Sequence, residues 1–461
     1  MRSMYSGVSG LKAHQLKMDI IGNNIANVNT VGFKGQRVTF QEVFSQTIKG
    51  ASSAQAGKGG TNAQQVGLGI SLSAIDTFHI RGAVQRTDSV TDLAVNGDGF
   101  FMLSDSADNL SRSYTRAGNF NLDDSGNLVA ANGYKVLGYM VDPNTGLMKS
   151  SLEGVVISKA TADDAKATTF GTFEGNLDNA ITKATVPATF AGPGALNLGV
   201  NKSWETTHQY TDALGGQHNL KYTFVRGLAG DGSVDATATA DRNWSVFVKD
   251  LDTGSYYQQG APVAGVVALT PATAAVVTAD PVAIPINFDI NGKLTAASIN
   301  KLNIAIPSKN GSAVFNVNVD LAKITQFASD STVAGTDSDG YTQGFLDTYS
   351  IGPTGEINAV FTNGQNKVIG RIALATFKNP AGLEKTSENM YQLTPNSGDP
   401  IVGVPSEGSM GSLNPGTLEM SNVDISNEFT EMITTQRGFQ ANSRIITTSD
   451  EMLQELVNLK R

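Results

Sequence analysis

The sequence predicts a multi-domain α+β chain. Long helices at the two termini pair as a coiled-coil-like inner layer, and discontinuous, mainly-β domains lie between them, the central one inserted in the other. Three observations predict this. Apolar residues recur every seven positions at both ends, at Met4, Leu11, Met18 and Ile25 and at Met432, Phe439, Ile446 and Leu453, a spacing that draws one stripe along a helix. Between the ends, short alternating runs are punctuated by turn residues such as Asn96-Gly97-Asp98-Gly99, the pattern of strands and hairpins. Charged residues make up 16% of the chain and glycine supplies 49 of 461 residues. The usual shares are about 25% and about 7%, so the balance favours turn-rich β-structure with a surface polar through hydroxyls and amides.

The elements follow in order. Residues 4–28 read as a helix of roughly 40 Å at 1.5 Å per residue, with Val8 and Ile21 widening its stripe. Asn27 to Gly32 supply its stop. Residues 1–32 and 417–461 are assigned to a terminal helical domain. Residues 33–72 show no clean period, and 50–65 are rich in Gly, Ala, Ser and Gln, so this stretch reads as a connector. Residues 73–148 and 344–416 form one discontinuous β-domain. Asp92-Leu93-Ala94-Val95, the turn at 96–99 and Phe100-Phe101-Met102-Leu103 make its first hairpin.

Residues 149–343 differ in texture, being rich in Ala, Thr and Val, with strand-like runs at Lys221 to Val225 and Trp244 to Val248. They read as an inserted outer β-domain of one or two subdomains, the nearly uncharged 261–285 being the candidate excursion. The last helix is expected to be capped by Ser421 or Asn422, with Asp424 and Glu428 at the positive end of its dipole. Phe429 joins its apolar positions, and Ile445, Met452, Leu456 and Leu459 place apolar groups on an adjoining side. Helices so interrupted by polar residues are marginal alone, so both termini are expected to order on assembly. Met4, Val8, Leu11, Met18, Ile21, Ile25, Phe429, Met432, Phe439, Ile446, Leu453 and Leu456 are the expected subunit-packing residues.

The composition also excludes function classes. The chain has no cysteine, which removes disulfides, thiolate metal sites and cysteine nucleophiles. Net charge is −9 and the basic residues do not cluster, so no nucleic-acid partner is expected. The first 30 residues lack the apolar core of a secretory signal, and no run of about eighteen apolar residues offers a membrane span. The histidines, His14, His79, His208 and His218, are not at ligand spacing. Asn121-x-Asp123-x-Ser125-Gly126 matches half of a calcium loop, but Asn132 stands where a bidentate Glu is needed, so a plain turn is expected. No catalytic set, cofactor or metal is expected, and the chain does not read as an enzyme.

Two terminal motifs carry a family resemblance. Ser9-Gly10-Leu11, Gly22-Asn23-Asn24-Ile25-Ala26-Asn27 and Asn29-Thr30-Val31-Gly32-Phe33-Lys34 resemble the start of bacterial flagellar rod and hook proteins. Glu419-Met420-Ser421-Asn422-Val423-Asp424, Gln436-Arg437 and Ala441-Asn442-Ser443-Arg444 resemble their end. Within the group the long central insertion resembles the hook type more than the shorter rod type. The resemblance implies an extracellular structural subunit of the flagellar hook that polymerises with itself into a curved tube, a universal joint passing torque from rod to filament. It further implies export by the flagellar type III apparatus without a cleaved signal. The implied partners are the distal rod protein, the hook cap, the hook-length control protein and the hook–filament junction proteins. The competing readings are a distal rod subunit and a secreted β-rich adhesin.

Overall fold

Both chain ends are helical. In the computed structural model, α1 spans Arg2–Ala26 (25 residues) and α2 spans Ile425–Asn458 (34 residues), so α2 is longer by about 14 Å. The structure describes residues 2–459 except 55–56, 144, 185–188, 191–195, 198–202, 229–241, 260–265, 272–282, 296–297, 308 and 310. The excursion expected within 261–285 therefore falls largely outside the described residues.

Helix α1 stops at Ala26 because Asn23, Asn27 and Thr30 turn their side chains on the local backbone and on one another. The Asn27 amide donates to the Asn23 carbonyl and side-chain oxygen at 2.9 and 3.0 Å, and the Thr30 hydroxyl donates to Asn27 Oδ1 at 3.1 Å. Such local bonds compete with the helical ladder. Gly32 then takes φ +68 against the Arg116–Ala117 backbone, where a Cβ would lie 2.6 Å from Ala117 N, so the exit needs glycine.

The stretch expected to be a connector is a long two-stranded ribbon. Strand β1 (Gln36–Glu42) pairs antiparallel with β4 (Ile70–Thr77), and β2 (Ser45–Lys49) with β3 (Gln64–Gly67). The Val43 N–H to Gly69 carbonyl bond at 3.0 Å joins the two pieces. Most of its side chains are exposed or half-buried. A ribbon that buries so little needs no clean hydrophobic period, which is why its sequence shows none.

The chain divides into two compact units: Met1–Lys159 with Asp347–Val360 and Asn366–Arg461, and Ala160–Leu346 with Phe361–Gln365. The inserted segment thus begins near 160, against 149 by sequence. In the first unit, strand Phe100–Ser104 pairs with Ser113–Thr115, Lys135–Met140 and Leu374–Thr376. Phe100, Met102, Tyr114, Leu137, Ala373, Ala375, Phe377 and Tyr391 fill its core. Leu93–Asn96 pairs with Ser412–Pro415 and Val84–Arg86 with Thr417–Glu419, so the chain re-enters the early β-structure directly before α2. The Asp123 carboxylate takes the Asn127 N–H and side-chain amide, each at 2.7 Å, a closed turn.

The second unit is a β-sandwich. Four antiparallel strands, Ser203–Thr211, Gln217–Arg226, Asn243–Asp250 and Ile284–Asn287, form one sheet. A six-stranded mixed sheet centred on Phe170–Asp178 and Phe315–Phe327 forms the other. One apolar cluster, with Phe173, Tyr222, Trp244, Ile304 and Val319 fully buried, draws on both sheets.

Candidate functional site

Part of the expected set falls on two adjoining features of the first unit: the seam between α1 and α2, and the junction where both helices enter the β-structure.

Along the seam, Gly7 faces Ile446, Gly10 faces Asn442 and His14 faces Gly438. Lys17 Nζ lies 2.9 Å from Glu431 Oε2, and Asn24 Nδ2 donates to Glu428 Oε1 at 3.0 Å. Each step up α1 is a step down α2, so the pair is antiparallel. Glycine leaves room for the partner helix's side chains at two of these steps. A Cβ on Gly10 would sit 2.8 Å from Asn442 Nδ2, and one on Gly438 2.7 Å from the His14 ring. Of the expected packing residues on α1, Ile21 is buried, Met4, Leu11, Met18 and Ile25 are half-buried, and Val8 is exposed. On α2, Met432, Phe439 and Ile446 are half-buried, and Phe429 and Leu453 are exposed. The Leu456 side chain lies outside the described residues. Apart from Ile446, the seam contacts named above are thus made by small and polar residues that the heptad pattern does not mark.

The junction is a polar clamp. Asn24 bonds the Gln36 backbone twice, donating to its carbonyl at 2.7 Å and accepting its N–H at 3.0 Å. Asn422 accepts the Gly35 N–H at 2.8 Å and donates to the Phe78 and Ile80 carbonyls at 2.9 and 3.1 Å. These bonds occupy Asn422, and Ser421 is buried, so neither of the expected residues caps α2. Asp424 does, accepting the Ser426 N–H at 2.8 Å. Gln436 and Arg437 are exposed, and Asn442 packs on the seam.

Beneath the clamp lies an ion cluster that the site reading missed. The Lys34 and Glu419 side chains are fully buried and 2.6 Å apart. Lys34 Nζ also donates to the Ile80 carbonyl at 2.8 Å. Glu419 Oε1 accepts the Gly82 N–H at 3.0 Å, and its carbonyl accepts the Gly32 N–H at 2.8 Å. Arg116 Nη1 stands 3.6 Å from Glu419 Oε2 and donates to the Gly97 carbonyl at 2.9 Å. Burial holds the Lys34 ammonium below its ordinary range, and the Glu419 carboxylate opposes that shift. Lys34 and Glu419 lie inside the terminal motifs, but nothing in their spacing signals that both are buried; Arg116 carries no signal at all. Phe33 is buried beside them, with Lys385 Nζ 4.1 Å from its ring centroid.

His79 packs edge-on against Phe100 and Tyr391, ring centroids 5.7 and 5.5 Å away. Burial, and then the positive charges of Lys34 and Arg116, push its pKa down to about 4. The unfolded chain therefore takes up this proton first. Stability of the first unit is expected to fall as pH drops from about 6.5 to about 4, by at most about 1.4 kcal/mol per pH unit. Thermal melts followed by the helical circular dichroism signal check this, and His79→Phe should flatten the slope in that window.

Among the described residues, no three His, Asp or Glu side chains form a metal-holding group, and no helix is long and apolar enough to cross a membrane. The arrangement holds two helices together and anchors them.

Comparison with known proteins places four family profiles on the chain. They are the flagella basal body rod protein at residues 4–34, the flagellar hook protein FlgE/F/G D1 domain at 94–177, the flagellar basal body protein FlaE D2 domain at 176–341 and the flagellar basal body rod FlgEFG protein C-terminal region at 414–459. The chain is 38% identical to the flagellar hook protein FlgE of Borreliella burgdorferi over 475 aligned residues, covering all of both chains. It is 37% identical to FlgE of Treponema pallidum over 486 residues, again with full coverage. It is also 31% identical, over the full length of both, to the flagellar basal-body rod protein FlgG of Bacillus subtilis.

Proposed function

The chain belongs to the flagellar hook and basal-body rod protein family, and we propose that its paired terminal helices form the inner layer of a tube whose outer layer is the β-structure. The chain is a structural subunit of the bacterial flagellar hook. Its identity to two hook proteins, 38% and 37%, exceeds the 31% to a rod protein, and this difference carries the choice. Insertion length does not: the Bacillus subtilis rod protein matches the chain from end to end, so a long middle is no mark of the hook type. The family's role is structural, and no catalytic step is assigned.

The physical requirements of the joint fit the parts. A tube that passes torque while bending needs a stiff inner layer and compliant outer contacts. The glycine-spaced seam and the buried ion cluster supply stiffness, since close packing and paired buried charges resist small displacements. Contacts between copies are heterologous, so growth is open-ended. The outer unit, poor in charge, makes shallow contacts that slide as each subunit passes the inside of the bend, and the ribbon at 36–77 links the layers. The subunit leaves the cell by the flagellar type III route without a cleaved signal. The assembled tube meets the distal rod at one end and the hook–filament junction proteins at the other, while the hook cap and the length-control protein act during growth.

Concentrated full-length protein is expected to form tubes under negative stain. A variant lacking residues 1–30 and 417–461 should stay monomeric by light scattering at the same concentration. Tube formation by the truncated chain, or its absence from the full chain at any concentration, would overturn the assignment.

A further inference from the structure

Helix α2 carries two apolar stripes that α1 leaves largely exposed, only Ile445 among them lying beside Gly7 of α1. Ile425, Phe429 and Ile433, 43%, 49% and 57% exposed, lie in its first half. Ile445, Met452 and Leu459, 43%, 60% and 81% exposed, lie in its second half and at its end. Their spacings of four and seven residues each trace a line along a helix.

The residues of α2 that meet α1, namely Glu428, Glu431, Gly438, Asn442 and Ile446, fix the direction of the seam. At about 100° per residue, the first stripe stands about 130° to one side of that direction and the second about 90° to the other. The two stripes thus occupy opposite flanks of one helix, centred 23 residues or about 34 Å apart along its axis.

Opposite flanks at different heights cannot be covered by one neighbour lying level with α2. They can be covered by two copies of the same chain, one displaced up the axis and one down. In an open helical polymer each copy presents two different patches, one to the copy on either side. Two unlike stripes on one helix meet that requirement, whereas an isologous pair needs a single patch that faces itself. Helix α2 also outruns α1. The order of the seam contacts leaves its last turns, from about residue 450, with no α1 residue opposite, and Leu453 and Val457 are exposed there.

We propose that the Ile425–Phe429–Ile433 stripe of one copy packs against the Ile445–Met452–Leu459 stripe of the next, the two α2 helices running parallel with an axial offset of about 34 Å. This rests on the tube reading and adds to it a specific contact, its register and its polarity. The occupant of each stripe is another copy of this chain.

The absence of cysteine makes the test direct. The double variant Phe429→Cys/Met452→Cys is assembled and treated with a short bis-maleimide, whose two rings each add one thiol. Within one chain the thiols are about 34 Å apart on one helix and out of reach of each other. The expected result is a denaturing-gel ladder of dimers, trimers and higher species, seen only with assembled protein and at least tenfold above either single variant. Tubes of the double variant that give no ladder would give the stripes to a different partner and overturn the proposal. Dimers from either single variant, which mean a stripe facing itself, would overturn it too. If the double variant does not assemble, Ile433→Cys/Leu459→Cys, whose positions lie about 4.5 Å apart along the axis at this offset, is read in the same way. Failure of the unmodified chain to form tubes would instead strike the tube reading.

Discussion

Replacing Glu419 by glutamine will destabilise the first unit by about 3–5 kcal/mol, the usual cost of removing one partner from a buried ion pair. The substitution keeps the shape of the side chain and removes the charge. Lys34, fully buried at 2.6 Å, and Arg116 at 3.6 Å then face a neutral amide. Lys34→Met should cost less, because Arg116 stays beside the Glu419 carboxylate. The double variant Lys34→Met/Glu419→Met should cost less than the two single changes together, since neither member of the pair is left facing an apolar group, although Arg116 still loses its carboxylate partner.

The chain separates the signals conveniently. Both tryptophans, Trp204 and Trp244, lie in the second unit, and among the described residues both α-helices lie in the first. In urea, the midpoint read by helical circular dichroism should fall for the variants while the midpoint read by tryptophan fluorescence holds. If Glu419→Gln and Lys34→Met each shift the helical midpoint by less than about 1 kcal/mol, the cluster is not the anchor described here.

The second large effect is expected at the seam. Gly10→Leu and Gly438→Leu will each abolish tube formation at concentrations where the unmodified chain assembles. Even a methyl carbon at these positions meets Asn442 Nδ2 at 2.8 Å or the His14 ring at 2.7 Å. A leucine adds three further carbons in the same direction, and overpacking of this kind costs about 1–3 kcal/mol or forces the helices apart. Gly22 is the internal control. It lies on the same helix with nothing within 4 Å of its would-be Cβ, so Gly22→Ala should raise helix stability by about 0.5–1 kcal/mol. Helical content by circular dichroism and tubes by negative-stain microscopy read all three variants. Normal assembly of Gly10→Leu, or equal damage from Gly22→Ala, would mean that glycine does not set the helix spacing.

The terminal helices were legible because each keeps a seven-residue apolar repeat over most of its length, and the repeat survives whatever the partner is. Which face meets the partner was not legible. Met4, Leu11, Met18 and Ile25 mark a stripe, yet the seam runs through Gly7, Gly10, His14, Lys17 and Asn24. A contact made by the absence of side chains leaves no hydrophobic signal. The same logic hid the ribbon at 36–77, whose strands bury too little to show a period. The α2 cap was read two or three residues early because Ser421 and Asn422 are capping residues by type, and only their tertiary partners divert them.

By itself the sequence determined the helical ends, the β-rich middle and the terminal motifs, because each is written in neighbouring residues through propensity and periodicity. The tertiary structure alone decided the register of α1 against α2, the cap at Asp424 and the joining of Lys34 to Glu419 across 385 positions. Those features depend on which distant groups share a space too small for water. A buried charge is tolerable only where its partner arrives, and no local pattern records that arrival.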